Sequence, residues 1–545
     1  MRKRALALLC AALQMIPALS LAAEVREDEG FYEVHPVESA LPEALGITDG
    51  VYTLGENAPE YAREADLTVQ ETGSYALLED TGVYAFRGDN TRRNAAFGTA
   101  EITEGAIVPV WEYPLGSLRT AESGTLYGVG WNCQPAIVKW AKEIREAMAM
   151  YPEAAATRAL CEVIFTSQDG KVYFLNLENG QPTRDAIDIG YPMKGSVSVD
   201  AQGRPMIAFG QAISKMPKDT GEIGLYLYNL LTMEPLYFLN GRKTGGQVQY
   251  SSNGAFDSSA LFVNRYQEDA LVVAGENGLL YTVDLHASFS MDAEGGMMLS
   301  AEPAVTYMNS IASGEKDART SIEGAVSMAD RFVFTGDAWG IVRCVDTSNM
   351  RTVWALDMGD NVDAAMALDP GEDSLDLYVG NTCYSRMDKK DPVRICRVNA
   401  LTGEVLWTFE IPCVKNSSLD ASGCKASPVI GEKGLEDYVY YTVNQVSAGS
   451  ARLVCLSKAD GSLQWSFDLA ESVSSPVAVY SEFGDGVIVQ CASDGQIYML
   501  NGLTGEVIAS TRVDGSIEGS PAVYRDRLVI GTCDKNSRML CFMLK

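Results

Sequence analysis

Three stretches of the chain align without gaps: ALTGEVLWTFEIP (400–412), KADGSLQWSFDLA (458–470) and GLTGEVIASTRVD (502–514). Each is a glycine-bearing turn that leads into an alternating strand. RICRVN, RLVCLS and QIYMLN precede them, while KASPVIG, SSPVAVY and GSPAVYR follow. A fourth strand completes each unit: DYVYYTVNQ, GVIVQCASD or RLVIGTCD. A unit of four short strands cannot bury both of its faces alone, so units of this kind must stack side by side.

The unit extends backwards through the strand–glycine–strand junctions TSQDGKVYFLNLENG, GENGLLYTVDL, GDAWGIVRCVDTSN and ASDGQIYMLNGLTG, around Gly170, Gly278, Gly340 and Gly495. The spacing is about 50 to 60 residues per unit. Eight third-strand segments begin near Gln134, Ser196, Ser259, Ala325, Ala365, Ser427, Ser475 and Ser520. The last unit ends at Lys545 without its outer strand, and IVPVWEYPLG (107–116) supplies a spare one. Joining the two removes the open sheet edges. The expected fold class is all-β: an eight-bladed β-propeller of four-stranded antiparallel blades, its last blade closed by N- and C-terminal segments. Seven blades is the alternative count.

The pattern alTGevlWtf…sPvv…vyv…dG.lyald resembles the PQQ-like (pyrroloquinoline-quinone repeat) β-propeller family. YAFRGDNTRRNAAFG (84–98) is similar to the FRG…R stretch that precedes the first blade in exported members. The resemblance spans about residues 84–545 and is strongest in the last four units. It implies that a Trp where the turn enters the outer strand docks on the neighbouring blade. Trp354, Trp407, Trp465 and, in the closing blade, Trp111 match that position; Tyr237 stands in once, and Arg184 and Ala509 depart from it. A large flat side chain there buries roughly 150–250 Å², a structural role.

MRKRALALLCAALQMIPALSLAA reads as a secretory signal peptide over residues 1–22: basic start, apolar run, small residues. Leu9 before Cys10 does not make a lipobox. Asp and Glu (72) outnumber Lys and Arg (43), for a net charge of −29. Such a surface repels phosphate backbones, so nucleic acid is a poor partner. No later run is long and apolar enough for a transmembrane helix. The expectation is a secreted bacterial protein of the cell envelope, monomeric, with envelope or extracellular proteins, or glycans, as partners.

Cys10 leaves with the signal, and an odd number of cysteines remains. None are adjacent and no CxxC occurs, so zinc ribbons and c-type haem attachment are unsupported. Cysteines inside VRCVD, LVCLS and VIVQCAS read as small buried hydrophobes. Residues 23–83 form an acidic extension without the repeat, whose later part is expected to pack on one face. Within the propeller (84–545), blade 1 carries an insertion at about 139–158. There Trp140, Ile144 and Met148 predict an amphipathic helix over Lys139–Met150, ended by Pro152. The loop DPGEDSLD (369–376) reads as solvated.

One constellation faces the channel mouth. The position just before each third strand gives Asn132, Lys194, Asp257, Glu323, Asp363, Lys425, Val473 and Glu518 around the ring. Three consecutive carboxylates bordered by lysines could hold a cation or a polyhydroxyl ligand; the alternative is that they bind backbone amides or pair with those lysines. His35 and His286 lie outside any nucleophile context, and Asn416 opens an NSS sequon. In the dehydrogenases of the family, resemblance implies PQQ over the channel with calcium held by Glu and Asn, an Asp base and often adjacent cysteines. None of those ligand motifs maps onto a blade here, so no cofactor is expected and no catalytic residue is assigned. The sequence therefore favours a non-catalytic scaffold or ligand-binding module; the alternatives are a glycan or cation binder at the mouth, and a PQQ- and calcium-dependent alcohol or sugar dehydrogenase.

Overall fold

In each blade the apolar residues of the inner three strands face both neighbours, so the core lies between blades. Val429, Tyr440 and Leu453 of one blade, for example, form a single buried cluster with Ala478, Tyr480 and Ile488 of the next. The computed structural model describes residues 32–545, except 64–66, 68–77, 122, 213–221, 243–252, 266–267, 293–294, 316–319, 388–390 and 416–421. The leader, Cys10 and the Asn416 sequon lie outside the described residues.

The chain is all-β, an eight-bladed propeller. Its inner strands are Ala136–Trp140, Ser198–Val199, Leu261–Arg265, Ser327–Ala329, Ala367–Pro370, Val429–Ile430, Val477–Tyr480 and Ala522–Tyr524, in blades 1 to 8. Blade 8 closes the ring: its third strand, Arg538–Leu544, pairs antiparallel with Ile107–Pro114, which becomes its outer strand.

The extension wraps edges rather than lying on one face. Thr48–Thr53 adds antiparallel to Ala304–Ile311, the outer strand of blade 3. Asp49 then takes the backbone N–H of Thr352 on blade 4 at 2.8 Å. Ala40 packs in the cluster around Trp354, and the N–H of Val37 reaches Thr402 O at 2.9 Å. At the other end of the extension, Leu78–Val83 pairs with the inner strand of blade 1.

The insertion differs from the single helix predicted. Trp140 still belongs to the strand, paired with Leu78, and its indole donates to Glu162 at 2.9 Å. The helix covers only Lys142–Ala147, and Pro152 opens a second one, Pro152–Ala156, because proline suits a first helical position. Ile144 and Met148 do face the core. The acidic loop 369–376 is also tied down at both ends: Asp369 meets Lys458 at 2.7 Å and Asp376 meets Arg397 at 2.6 Å.

Residues 84–97 form a belt inside the ring. Tyr84 O accepts from Val199 of blade 2, Asn90 O from Met328 of blade 4, Thr91 O from Leu368 of blade 5, Arg93 O from Ile430 of blade 6 and Ala95 O from Val523 of blade 8. Asn94 makes a two-way amide pair with Ala478 of blade 7, at 2.8 and 3.0 Å. Gln134 of blade 1 accepts from the Arg87 N–H at 3.0 Å, and Arg92 reaches Ser259 O of blade 3 at 3.0 Å. One extended segment thus bonds to every blade. In six blades it bonds the second residue of the inner strand, five residues beyond the charged-ring position, so it runs inside the ring behind that position.

Candidate functional site: the axial mouth

Each residue of the charged ring lies four positions ahead of an inner strand, Asn132 before Ala136 and Lys425 before Val429. Around an axis this narrow, the side chains meet one another. Asn132 of blade 1 donates to Glu323 O of blade 4, across the ring, at 3.2 Å. Lys425 of blade 6 lies over the Trp131 ring of blade 1 at 4.4 Å and pairs with Asp363 of blade 5 at 3.3 Å. Asp257 and Asp363 are buried, at 4% and 1% exposure. Val473 contributes an apolar wall.

Burial and crowding set the protonation. Asp257 hydrogen-bonds Glu276, and burial raises both carboxyls, Glu276 well above its usual range with Asp257 adding repulsion. Each of these buried carboxyls thus disfavours ionisation of the other. Burial, then Asp363, pushes Glu323 up to about 7. Asp257 raises Lys194 against the opposing effect of desolvation. Burial raises Glu518, which meets the Cys533 thiol.

These contacts bring the seven polar ring residues together, with Glu518 within reach of the Lys194 and Lys425 charges. Sequence reasoning missed Glu276, Trp131 and Cys533. Glu276 had a signal: among the junctions, the residue two before the glycine is Gln168, Glu276, Ala338 and Ser493, so it is the one carboxylate. Trp131 lies beside Asn132 in sequence and carried no repeat signal, because it answers to Lys425 on a distant blade.

The dehydrogenase cofactor does not fit this donor set. Lys425 already pairs with Asp363 at 3.3 Å, and the Lys194 ammonium faces Asp257. Among the described residues no group of three or more His, Cys, Asp or Glu converges as a metal cage.

The docking positions form a series. The indole N–H of Trp354 donates to Ala400 O at 2.8 Å, Trp407 to Lys458 O at 2.8 Å, Trp465 to Gly502 O at 3.0 Å and Trp111 to Leu177 O at 2.7 Å, each on the next blade. Tyr237 packs half-buried in the blade 2–3 cluster. Arg184 replaces the Trp in blade 1 with a wholly buried pair to Glu162 at 2.8 Å. All eleven cysteines among the described residues are free thiols, and ten of them are buried.

Residues 449–541 match the family model described as outer membrane protein assembly factor BamB. A segment is 31% identical over 104 residues to a beta-alanine-activating enzyme of Danio rerio, covering 18% of this chain but only 9% of that protein. Among solved structures, the quinohemoprotein alcohol dehydrogenase of Comamonas testosteroni is similar at a TM-score of 0.51 and 10% identity, covering 87% of this chain and 81% of its own. The quinohemoprotein alcohol dehydrogenase ADHIIG of Pseudomonas putida HK5 gives 0.53 at 10% identity, covering 85% and 80%. At such identity these structures speak for the fold alone. With its repeats and its closed ring this chain is an eight-bladed β-propeller, and its last blades are similar to the PQQ-type repeat family.

Proposed function

We propose that the protein is an exported, non-catalytic scaffold of the cell envelope that binds proteins on its rim. The observation that carries this reading is the self-pairing of the mouth, where Asn132, Glu323, Asp363, Lys425 and Trp131 satisfy one another across the axis. The belt, bonded to every blade, lies inside the same ring. Among the described residues, no further strand pairs with the outer strands of blades 5 to 8, where Val405, Leu406, Leu463, Val507, Ile508, Val108 and Val110 are exposed. The likeness of residues 449–541 to an envelope assembly factor agrees with that use.

A photo-crosslinking residue at Leu406, Leu463 or Ile508, introduced in the native host, tests the reading. The expected result is a discrete adduct with one envelope protein from at least one site. No adduct from any of the three would overturn rim binding. Calorimetric titration with PQQ and calcium checks the enzymatic alternative, and saturable one-to-one binding would replace the scaffold reading.

A second reading uses the mouth as a binder of a glycan or cation. It rests on Asp257 Oδ1, which is buried without a hydrogen-bond partner. Asp257→Asn abolishing binding in a glycan array, without lowering thermal stability, is the outcome that would favour it.

A further inference from the structure

Three cysteines gather where blade 5 hands over to blade 6. Thr382 and Gly423 pair as an isolated antiparallel bridge, framed by the bonds from Cys383 N–H to Ser422 O and from Cys424 N–H to Asn381 O, both 3.1 Å. Residues flanking such a pair point to one side, so Cys383, Ser422 and Cys424 share a face. Ser422 Oγ donates to Val414 O at 2.9 Å, which lays residues 413–414 over that face. The Cys413 thiol donates to Asn444 O at 3.6 Å, the same carbonyl that accepts from the Gly423 N–H at 2.9 Å. The Cys413 sulfur therefore lies beside the bridge, in one buried cluster with Cys383 and Cys424.

The three thiols are not equivalent. Cys424 is wholly buried, and its Sγ stands 2.7 Å from where a Cβ on Gly380 would be, turned toward the second strand of blade 5. Cys383 and Cys413 lie nearer the surface, at 4% and 7% exposure, each next to an exposed side chain, Tyr384 or Val414. Burial, then Cys383, raises Cys413 to about 12. Burial raises Cys383 too, but there the Lys415 cation opposes it, with its ammonium held by Met387 O at 3.2 Å. Cys383 is thus the thiol more readily ionised, and Cys413 is the one that feels its charge. Among the described residues these thiols do not converge as a metal cage, which leaves chemistry between two of them.

We propose that Cys383 and Cys413 are a dithiol pair, which a small disulfide oxidant of the glutathione class converts to an intrachain disulfide. The Cys383 thiolate attacks one sulfur of the oxidant, forming a mixed disulfide and releasing the first oxidant thiol, which takes the Cys383 proton. The Cys413 thiolate then attacks Cys383 Sγ, and the second oxidant thiol leaves with the Cys413 proton. Two electrons and two protons pass from the protein to the oxidant, whose S–S bond is replaced by that of the protein. The bond closes residues 383–413, which contain the third and outer strands of blade 5, into one covalent loop. Such a bond persists outside a reducing cytosol, so its use rests on the exported reading, whereas its formation in vitro does not.

The test incubates the purified mature protein with oxidised glutathione, alkylates the remaining thiols in denaturant and maps the peptides by mass spectrometry. The expected result is the loss of two of the eleven free thiols, with Cys383 joined to Cys413. Cys413→Ser lacks the thiol that resolves the mixed disulfide, so glutathione should stay attached to Cys383 in that variant. Eleven thiols retained, a bond between any other pair, or an unmodified Cys383 in the variant overturns the proposal. If the variant does not fold, the linkage map of the wild type decides alone. Failure here leaves the exported scaffold standing, which photo-crosslinking on the rim tests separately.

Discussion

Ser427 donates its backbone N–H to the hydroxyl of Ser475, one blade further round the ring, at 3.0 Å. Ser475 donates in turn to Ser520 at 3.1 Å, as Gln134 does to Ser196 at 2.8 Å and Ser196 to Ser259 at 3.1 Å. The series lacks its hydroxyl at Ala325 and Ala365, and Phe86 of the belt packs against those two residues. Small polar side chains at one repeat position thus tie neighbouring inner strands, and an aromatic ring fills the gap where two of them are missing.

Removing a link of this series should be felt as a buried, unsatisfied donor. Ser475→Ala leaves the Ser427 N–H without its acceptor, an expected loss of about 1–3 kcal/mol. The urea midpoint measures it. A variant as stable as wild type would mean that the hydroxyl relay contributes nothing.

The glycines of the repeat turns are set by the tryptophans. A Cβ on Gly505, whose φ is +73°, would stand 2.6 Å from Trp465 Cε3. Backbone strain and overpacking together predict a loss of about 2–4 kcal/mol for Gly505→Ala. Trp465→Phe loses only the hydrogen bond to Gly502 and part of the contact, so it should cost less. Thermal unfolding of the two variants checks the order, and a milder Gly505→Ala would refute the account of the turn.

The repeat made the blades, the closing strand and the inner-strand starts legible, because each rests on local alternation and turn glycines that recur in sequence. The helix over Lys139–Met150 was misjudged because Trp140 obeys a strand partner, Leu78, that no periodicity reveals. The ring position was readable, yet its chemistry was not. Glu276 and Trp131 reach it from other repeat positions, and their effect arises from burial and from contacts across the axis. The belt was visible only as a resemblance around residues 84–98; its bonds to all eight blades join residues that no local pattern relates.

The mouth should make stability depend on pH. Glu323 has a folded value of about 7 against an ordinary value of 4.5, so the folded protein binds this proton more tightly than the unfolded chain. Its contribution is complete below about pH 4.5 and is lost as pH rises through 7, on the order of 3 kcal/mol in all. Glu315, raised by burial and Asp337 to about 8, adds a later step in the same direction. Urea midpoints from pH 5 to 9 should fall, and Glu323→Gln should remove the earlier part of the fall. An unchanged profile in that variant would show that Glu323 is not the titrating group.

Arg92 should be the least replaceable residue of the belt. Its three donors serve carbonyls on blade 3, blade 4 and the belt itself, and a lysine keeps the charge but not the planar fork that reaches all three. Arg92→Lys therefore leaves buried carbonyls unpaired, with a loss of about 2–4 kcal/mol. Because those carbonyls lie on adjacent blades, the loss should loosen the ring rather than one loop. Hydrogen exchange reads this directly: faster exchange at Met328 and Leu368, whose N–H groups bond the belt, is the expected result. Faster exchange confined to residues 84–97 would mean that the belt rests on the blades without holding them together.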